Sequence, residues 1–269
     1  MRNMQPLNKN FVYTLAESAR ATVSSGYYHV EEAVSSKRSL RKAIALSHRT
    51  PIIAEVKFRS PAEGALRDGH EGFDPVAVAK SYERGGAAAI SVLTEPKHFD
   101  GNIEYLARVK RAVSVPVLMK DIVVDPIQIE AARLTGADAV LIMTTVFRLG
   151  LSDVGLQEML RLAHSKGLEV LLEAHTKEEY DTALDTDADV IGINNRDLET
   201  LKVTLETSKM LLRTGKRGKI VISESGLSKR EQLAELTSLG ADGFLVGSSL
   251  MRSKNIERSV RELAGENSR

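Results

Sequence analysis

Four apolar runs of this chain end in charge. Glu55 and Lys57 close Ile52-Ile53-Ala54, Lys120 follows Pro116-Val117-Leu118-Met119, Glu173 follows Leu168 to Leu172, and Glu224 follows Ile220-Val221-Ile222-Ser223. Carboxylates and ammonium groups gathered in a partly desolvated place shift one another's proton affinity in both directions, which is what acid–base chemistry needs. The bland alternative is a set of ion pairs plugging the end of a barrel. Two further runs end in small residues: Ser225-Gly226 after the run at 220, and Gly247-Ser248-Ser249 after Phe244-Leu245-Val246. Adjacent strand ends of this kind make a nest of backbone N–H groups that holds a phosphate. They are also what two tight strand-to-helix turns require. Asn194, after Val190-Ile191-Gly192-Ile193, ends its run in a neutral hydrogen-bonding group that can orient a substrate hydroxyl or a carboxylate.

The elements that must position these residues follow from the spacing. From Pro51 onward eight short apolar runs recur, the others being Ala89 to Leu93 and Ala139 to Met143. Amphipathic helical patterns lie between them, as at Asp74 to Arg84, Pro126 to Leu134, Ser152 to Ser165, Lys177 to Leu184 and Lys229 to Leu239. Strand alternating with helix predicts parallel strands and crossovers, and eight such units fit a closed (β/α)8 TIM barrel of class α/β. An open dinucleotide-binding sheet is disfavoured, because no glycine-rich fingerprint follows the first strand. Gly86-Ala87-Ala88, Gly136-Ala137-Asp138, Asp187-Ala188-Asp189 and Gly240-Ala241-Asp242 recur roughly fifty residues apart, each before an even-numbered strand. The repeat is a quarter barrel.

Within that frame the charged ends belong to strands one, three, five and seven. Alternate strands of such a barrel share layers. Glu55 or Lys57, with Lys120, Glu173 and Glu224, is therefore predicted to form one ring at the mouth. Glu55 and Lys57 are two apart and point the same way. The loop Lys57 to Arg67 mixes Arg, Pro and Gly and reads as a mobile phosphate-gripping lid. His98, His164 and His175 read as structural or solvent-facing. Residues 1–49 carry no strand signal and read as an N-terminal helical extension, with helices over Phe11 to Thr22, Val30 to Val34 and Leu40 to Ser47. It can cover the barrel bottom, wrap its side or overhang the site. Residues 50–269 form the barrel, in a single domain overall.

Composition narrows the partners. The formal net charge is +1 over 269 residues, which points to neither nucleic acid nor an anionic membrane. There is no cysteine, so disulfides, thiolate nucleophiles and sulfur-ligated metals are excluded, and the six histidines lack metal-ligand spacing. No apolar run approaches the ~20 residues of a membrane span, and the polar start lacks a signal-peptide core. The expected location is the cytoplasm.

Taken in order, these stretches resemble the indole-3-glycerol-phosphate synthase family of tryptophan biosynthesis. The likeness is carried by Ile53-Ala54-Glu55-Val56-Lys57 with Ser60-Pro61 and Gly64, by Leu93-Thr94-Glu95 with Phe99, and by Pro116 to Asp121. It continues through Glu173, Ile191 to Leu198, Glu224-Ser225-Gly226 and Gly247 to Met251. The resemblance implies closure of 1-(2-carboxyphenylamino)-1-deoxyribulose 5-phosphate with loss of CO₂ and water, a phosphosugar–anthranilate substrate, and neither metal nor organic cofactor. By the same likeness Lys120 is the general acid toward the sugar carbonyl and Glu173 its carboxylate counterpart. Lys57 lies near the anthranilate carboxylate and is an acid for dehydration. Glu55 and Asn194 hold and polarise the sugar, and Glu224 and Ser225 bind substrate. Ser60, Gly226, Gly247 and Ser248 contact the phosphate. The chain departs from many members at Phe58, Ala62 and Ile122, where a basic residue, a serine and an aromatic are common. A phosphoribosyl isomerase, a Schiff-base aldolase using Lys120, and a non-catalytic phosphosugar binder are the alternatives.

Overall fold

The computed structural model describes residues 11–31, 33–34, 37–66 and 74–265. Among them, eight parallel strands close into a barrel: β1 (Ile52–Val56), β2 (Ala89–Leu93), β3 (Val117–Lys120), β4 (Ala139–Met143), β5 (Glu169–Ala174), β6 (Val190–Asn194), β7 (Ile220–Glu224) and β8 (Gly243–Val246). Each strand pairs with its sequence neighbours, and β8 returns to β1 through Ile52 opposite Phe244 and Ala54 opposite Val246.

Residue alternation along these strands sorts the core into two layers. Ile53, Leu118, Leu171 and Ile222 face inward with Ala89, Leu141, Val190 and Leu245 and fill the barrel. Their neighbours Ile52, Ala54, Met119, Leu172 and Val221 face outward and pack under the helices. Two residues beyond each inward side chain of the odd strands stand Glu55, Lys120, Glu173 and Glu224. With a period of two they must share the inward face, one layer above an apolar plug. The barrel interior thus floors the charged ring and keeps water from it below.

The quarter-barrel repeat acquires a function at the opposite end. Asp138 Oδ2 accepts from Val117 N at 2.8 Å, Asp189 Oδ2 from Val170 N at 2.9 Å, and Asp242 Oδ2 from Val221 N at 2.8 Å. Each aspartate satisfies an amide at the first or second residue of the preceding odd strand. Fixing where those strands start fixes where they end, and so aligns the ring.

The N-terminal residues do all three of the things expected as alternatives. Helix α1 (Phe11–Ser24) brings Phe11 and Leu15 to the barrel mouth. Tyr27 donates to the carbonyl of Thr94 at 2.9 Å, and Tyr28 to Asp121 Oδ2 at 3.0 Å, fastening the segment beside β2 and β3. Helix α2 (Leu40–Ala45) lies under the barrel, where Ser39 Oγ and Arg41 N donate to Glu169 at 2.5 and 2.8 Å. Among the described residues of the stretch Val30 to Val34 the expected helix does not form. Val34 N instead donates to the Leu134 carbonyl at 2.8 Å, an extended anchor along the barrel side. The helix expected from Ser152 begins at Leu156, because the hydroxyl of Ser152 and the amide of Asp153 both bond the Val124 carbonyl. The loop after β1 contains a short antiparallel hairpin, Arg59–Ser60 with Gly64–Ala65. Arg67, where that lid reading ends, lies outside the described residues, as do Met1 to Asn10.

Candidate active site

A cavity of about 440 Å³ opens at the C-terminal ends of the strands. One wall is apolar, made by Phe11, Leu15, Phe99, Ile122 and Leu198. Phe99 is held there by Glu95, whose buried carboxylate accepts the backbone N–H groups of Lys97, His98 and Phe99 at 2.9, 2.7 and 3.2 Å. An apolar wall of this size suits a planar ring. The opposite side is polar, with Ser60, Ser225, Gly226, Gly247 and Ser248 around one corner and the charged ring between.

The ring holds Lys120, Glu173 and Glu224, and both of the alternatives from β1, Glu55 and Lys57, reach it. Lys57 Nζ is 2.6 Å from Glu55 Oε1. Lys120 Nζ lies 3.4 Å from Glu173 Oε2 and 3.5 Å from Glu224 Oε2. The three carboxylate side chains are at most 2% exposed, while the two ammonium groups reach the cavity. Burial works to lower the Lys120 ammonium, but Glu173, Glu224 and Glu55 outweigh it and hold its proton more tightly than an ordinary lysine does. Burial likewise pushes Glu173 up. Lys120 first, then His175, the Asn194 amide and the facing Glu224 carboxyl reverse that and hold Glu173 below the usual carboxylate range. Glu224 is the opposite case. Burial, reinforced by Glu173 and Glu55, overcomes Lys120 and pushes its carboxyl up to about 8. Two adjacent carboxylates cannot both ionise cheaply, so one takes the proton. Near neutral pH the ring thus holds an acid, Glu224, beside a base, Glu173, under a shared cation. Neither Glu224 oxygen has an aligned hydrogen-bond partner among the described residues.

Two glycines exist for this ring. A Cβ on Gly192 would collide with Glu224 Oε1, and one on Gly247 would collide with Glu55 Oε1. Gly247 therefore makes room for a carboxylate as well as ending β8, a second reason for that residue. Asn194 accepts from Arg196 N at 2.9 Å through Oδ1, leaving its amide N–H₂ toward Glu173. Ser225 and Gly226 both take left-handed backbone angles, φ of 68° and 78°. That conformation is uncommon for serine and marks a strained turn at the site. Ser60 is buried in the hairpin and faces the cavity. Phe58 packs edge-on to Tyr105, with ring centres 5.8 Å apart.

Sequence reasoning missed several residues here. Glu63 of the first loop reaches into the small-residue corner, where Ser248 Oγ donates to it at 3.2 Å. Arg196 Nη2 approaches it at 3.3 Å and Arg252 Nη2 at 2.5 Å. Of the two readings of His175, structural or solvent-facing, the structure removes the second: its ring is buried against Glu173, 3.3 Å from Oε1. The spacing that joined Glu55 to Lys57 also joins Glu173 to His175 and was the available signal. Asp121, next to Lys120, faces away from the ring. It accepts from Tyr28, Thr94 and Ile122 N, and burial pushes it up to about 6 against those bonds.

Comparison with known proteins bears on this geometry. The family model described as indole-3-glycerol phosphate synthase matches residues 9–263. An indole-3-glycerol phosphate synthase of Aquifex aeolicus is 47% identical over 218 residues, covering 80% of this chain and 82% of that protein. One of Sulfurimonas denitrificans is 43% identical over 212 residues, covering 79% and 78%. Among solved structures, a mutant tryptophan synthase α-subunit of Pyrococcus furiosus aligns at TM-score 0.59 and 16% identity, over 81% of this chain and 99% of that one. Likeness at that identity reports the barrel alone.

Proposed function

This chain belongs to the indole-3-glycerol phosphate synthase family, and on that premise we propose how its barrel mouth performs the family's decarboxylating ring closure. The substrate is 1-(2-carboxyphenylamino)-1-deoxyribulose 5-phosphate. A ring carbon of the anthranilate attacks the sugar ketone, the C–C bond forms, CO₂ leaves, and water is then lost to give the indole.

The observation that carries the residue assignment is the position of Lys120, 3.4 Å from Glu173 and 3.5 Å from Glu224 and above an apolar floor. As the ketone oxygen becomes an alkoxide it needs a cation and then a proton. A lysine that holds its proton tightly is matched to an alkoxide, which is more basic still. Lys120 supplies both. Closure expels CO₂ rather than a proton, and Glu173 takes the proton that the new five-membered ring releases when water is lost. Lys57, steadied by Glu55 at 2.6 Å, neutralises the anthranilate carboxylate and donates as the hydroxyl departs. Glu55 and Asn194 hold and polarise the sugar. Glu224 and Ser225 bind it. Ser60, Gly226, Gly247 and Ser248 hold the phosphate. Phe11, Phe99 and Ile122 sandwich the aromatic ring and exclude water.

The reading also takes a small-molecule substrate as the partner, with neither nucleic acid nor membrane involved, and a cytoplasmic location. Among the described residues no helix is long and apolar enough to cross a membrane. Incubation with the carboxyphenylamino ribulose phosphate, followed by indole fluorescence, tests it. Turnover that Lys120→Met and Glu173→Gln both abolish supports the assignment. Full activity in either variant removes that residue from it.

A further inference from the structure

Behind Glu173, away from Lys120, lies a carboxylate–imidazole pair to which the assignment above gives no work. His175 Nε2 is 3.3 Å from Glu173 Oε1. Its Nδ1 is 3.3 Å from Thr145 Oγ1 and 3.4 Å from Glu179 Oε2. The ring is only 8% exposed. Glu179 is itself fixed from three directions. Its Oε1 accepts from Thr145 Oγ1 at 2.7 Å and Arg148 Nε at 3.0 Å, and its Oε2 from His175 N at 2.9 Å. A continuous series, Arg148, Glu179, His175, Glu173, Lys120, therefore alternates basic and acidic groups from the surface to the barrel mouth.

We propose that His175, oriented by Glu179, is a positioning residue that holds the Glu173 carboxylate in place and keeps it anionic between proton transfers. The proposal rests on Glu173 being the acid–base group of the reaction.

Three observations support it. Glu173 is sealed from solvent, so its charge depends on its neighbours. Lys120 is shared with Glu224 and meets only one edge of the carboxylate, at Oε2, whereas His175 meets the other edge, at Oε1. And Glu173 stays low against its own burial, with His175 second only to Lys120 among the groups that hold it there. His175 Nε2 makes no aligned hydrogen bond among the described residues, so it acts on Glu173 as a polar neighbour in contact with the Oε1 edge. The arrangement resembles in outline a carboxylate that fixes an imidazole, which in turn acts on a third group. The charged groups facing His175 are Glu173 on β5, Glu179 on the following helix and Asp197 after β6, with Arg148 and Lys120 one step beyond.

The test is the pH dependence of kcat and KM for His175→Leu and His175→Gln, with Glu173→Gln as the reference. His175→Leu removes the imidazole and its contact with Glu173 Oε1. Its kcat should fall between about 10- and 100-fold, as small misplacements of reacting groups do, while KM stays within about twofold. Its acid limb should move to higher pH by about half to one unit, because the Glu173 anion has lost a stabilising neighbour. His175→Gln keeps an N–H donor and should recover part of kcat but not the limb. A residue that merely filled space would leave the limb unmoved. A wild-type limb in both variants, or kcat within twofold of wild type in His175→Leu, overturns the proposal. If His175→Leu does not fold, His175→Gln with Glu179→Gln carries the same pH comparison. Wild-type kcat in Glu173→Gln would instead overturn the assignment on which the proposal rests.

Discussion

Lys120→Met exchanges the ammonium for a thioether of similar reach, so it changes charge with little change in packing. Its nitrogen stands 3.4 and 3.5 Å from two carboxylates that are at most 2% exposed. At an effective dielectric near 20, opposite charges that close attract by about 5 kcal/mol before desolvation. The loss on substitution is smaller, because the carboxylates respond by taking up protons. Glu224, already pushed up to about 8, needs no cation at pH 7. The burden falls on Glu173, which Lys120 holds low in the native protein. Breaking a buried pair from one side typically costs 3–5 kcal/mol, and with protonation available about 3 kcal/mol is expected at pH 7.

The pH dependence has a definite sign. With Lys120 gone, burial should lift Glu173 as it already lifts Glu224, so that both carboxyls in the variant lie above the ordinary value of 4.5. A raised acid contributes its stability below the unfolded value and loses it as pH rises through the folded one. The gap in stability between variant and wild type should therefore be small near pH 5 and widen toward pH 9. In activity, losing a general acid that also neutralises an oxyanion should lower kcat by about 10²–10⁴-fold or more. Urea unfolding at pH 5, 7 and 9 and indole fluorescence at saturating substrate measure the two effects. Retention of more than about a tenth of kcat would move the acid role to Lys57. An equal stability loss at pH 5 and pH 9 would refute the charge accounting of the ring.

Gly192→Ala puts a methyl group where Glu224 Oε1 stands and within 3.3 Å of Leu171 Cδ1. Stability should fall by about 1–3 kcal/mol and kcat at least tenfold, and a variant with wild-type kcat and melting temperature would show that Glu224 moves freely. Glu63→Gln removes a carboxylate that engages Ser248, Arg196 and Arg252 in the corner assigned to the phosphate. Freed of a competing anion worth up to about 1 kcal/mol, the site should bind inorganic phosphate about fivefold more tightly. An unchanged or weaker inhibition constant would mean that Glu63 and phosphate do not compete.

Much of this molecule is legible in its sequence, and the reason is periodicity. β-branched runs bounded by turn residues have one good conformation, and eight of them separated by amphipathic helices have essentially one closed arrangement. Inward and outward alternation follows from the pleat, so the ring of Glu55, Lys120, Glu173 and Glu224 could be read from run ends alone. What the chain order could not carry was whatever depends on contacts between distant segments. The hydrophobic pattern at Val30 to Val34 looks helical, but an anchor on Leu134 decides otherwise. Glu63 and Ser248 are 185 residues apart, and no local spacing joins them. His175 looked like a stray imidazole until the helix after β5 set Glu179 behind it. Proton ownership in the ring is the clearest case. Glu173 and Glu224 are the same residue type at equivalent ends of equivalent strands, and the sequence treats them alike. Only the packed mouth separates them, because the nearby charges that hold one carboxylate low against its burial leave the other high.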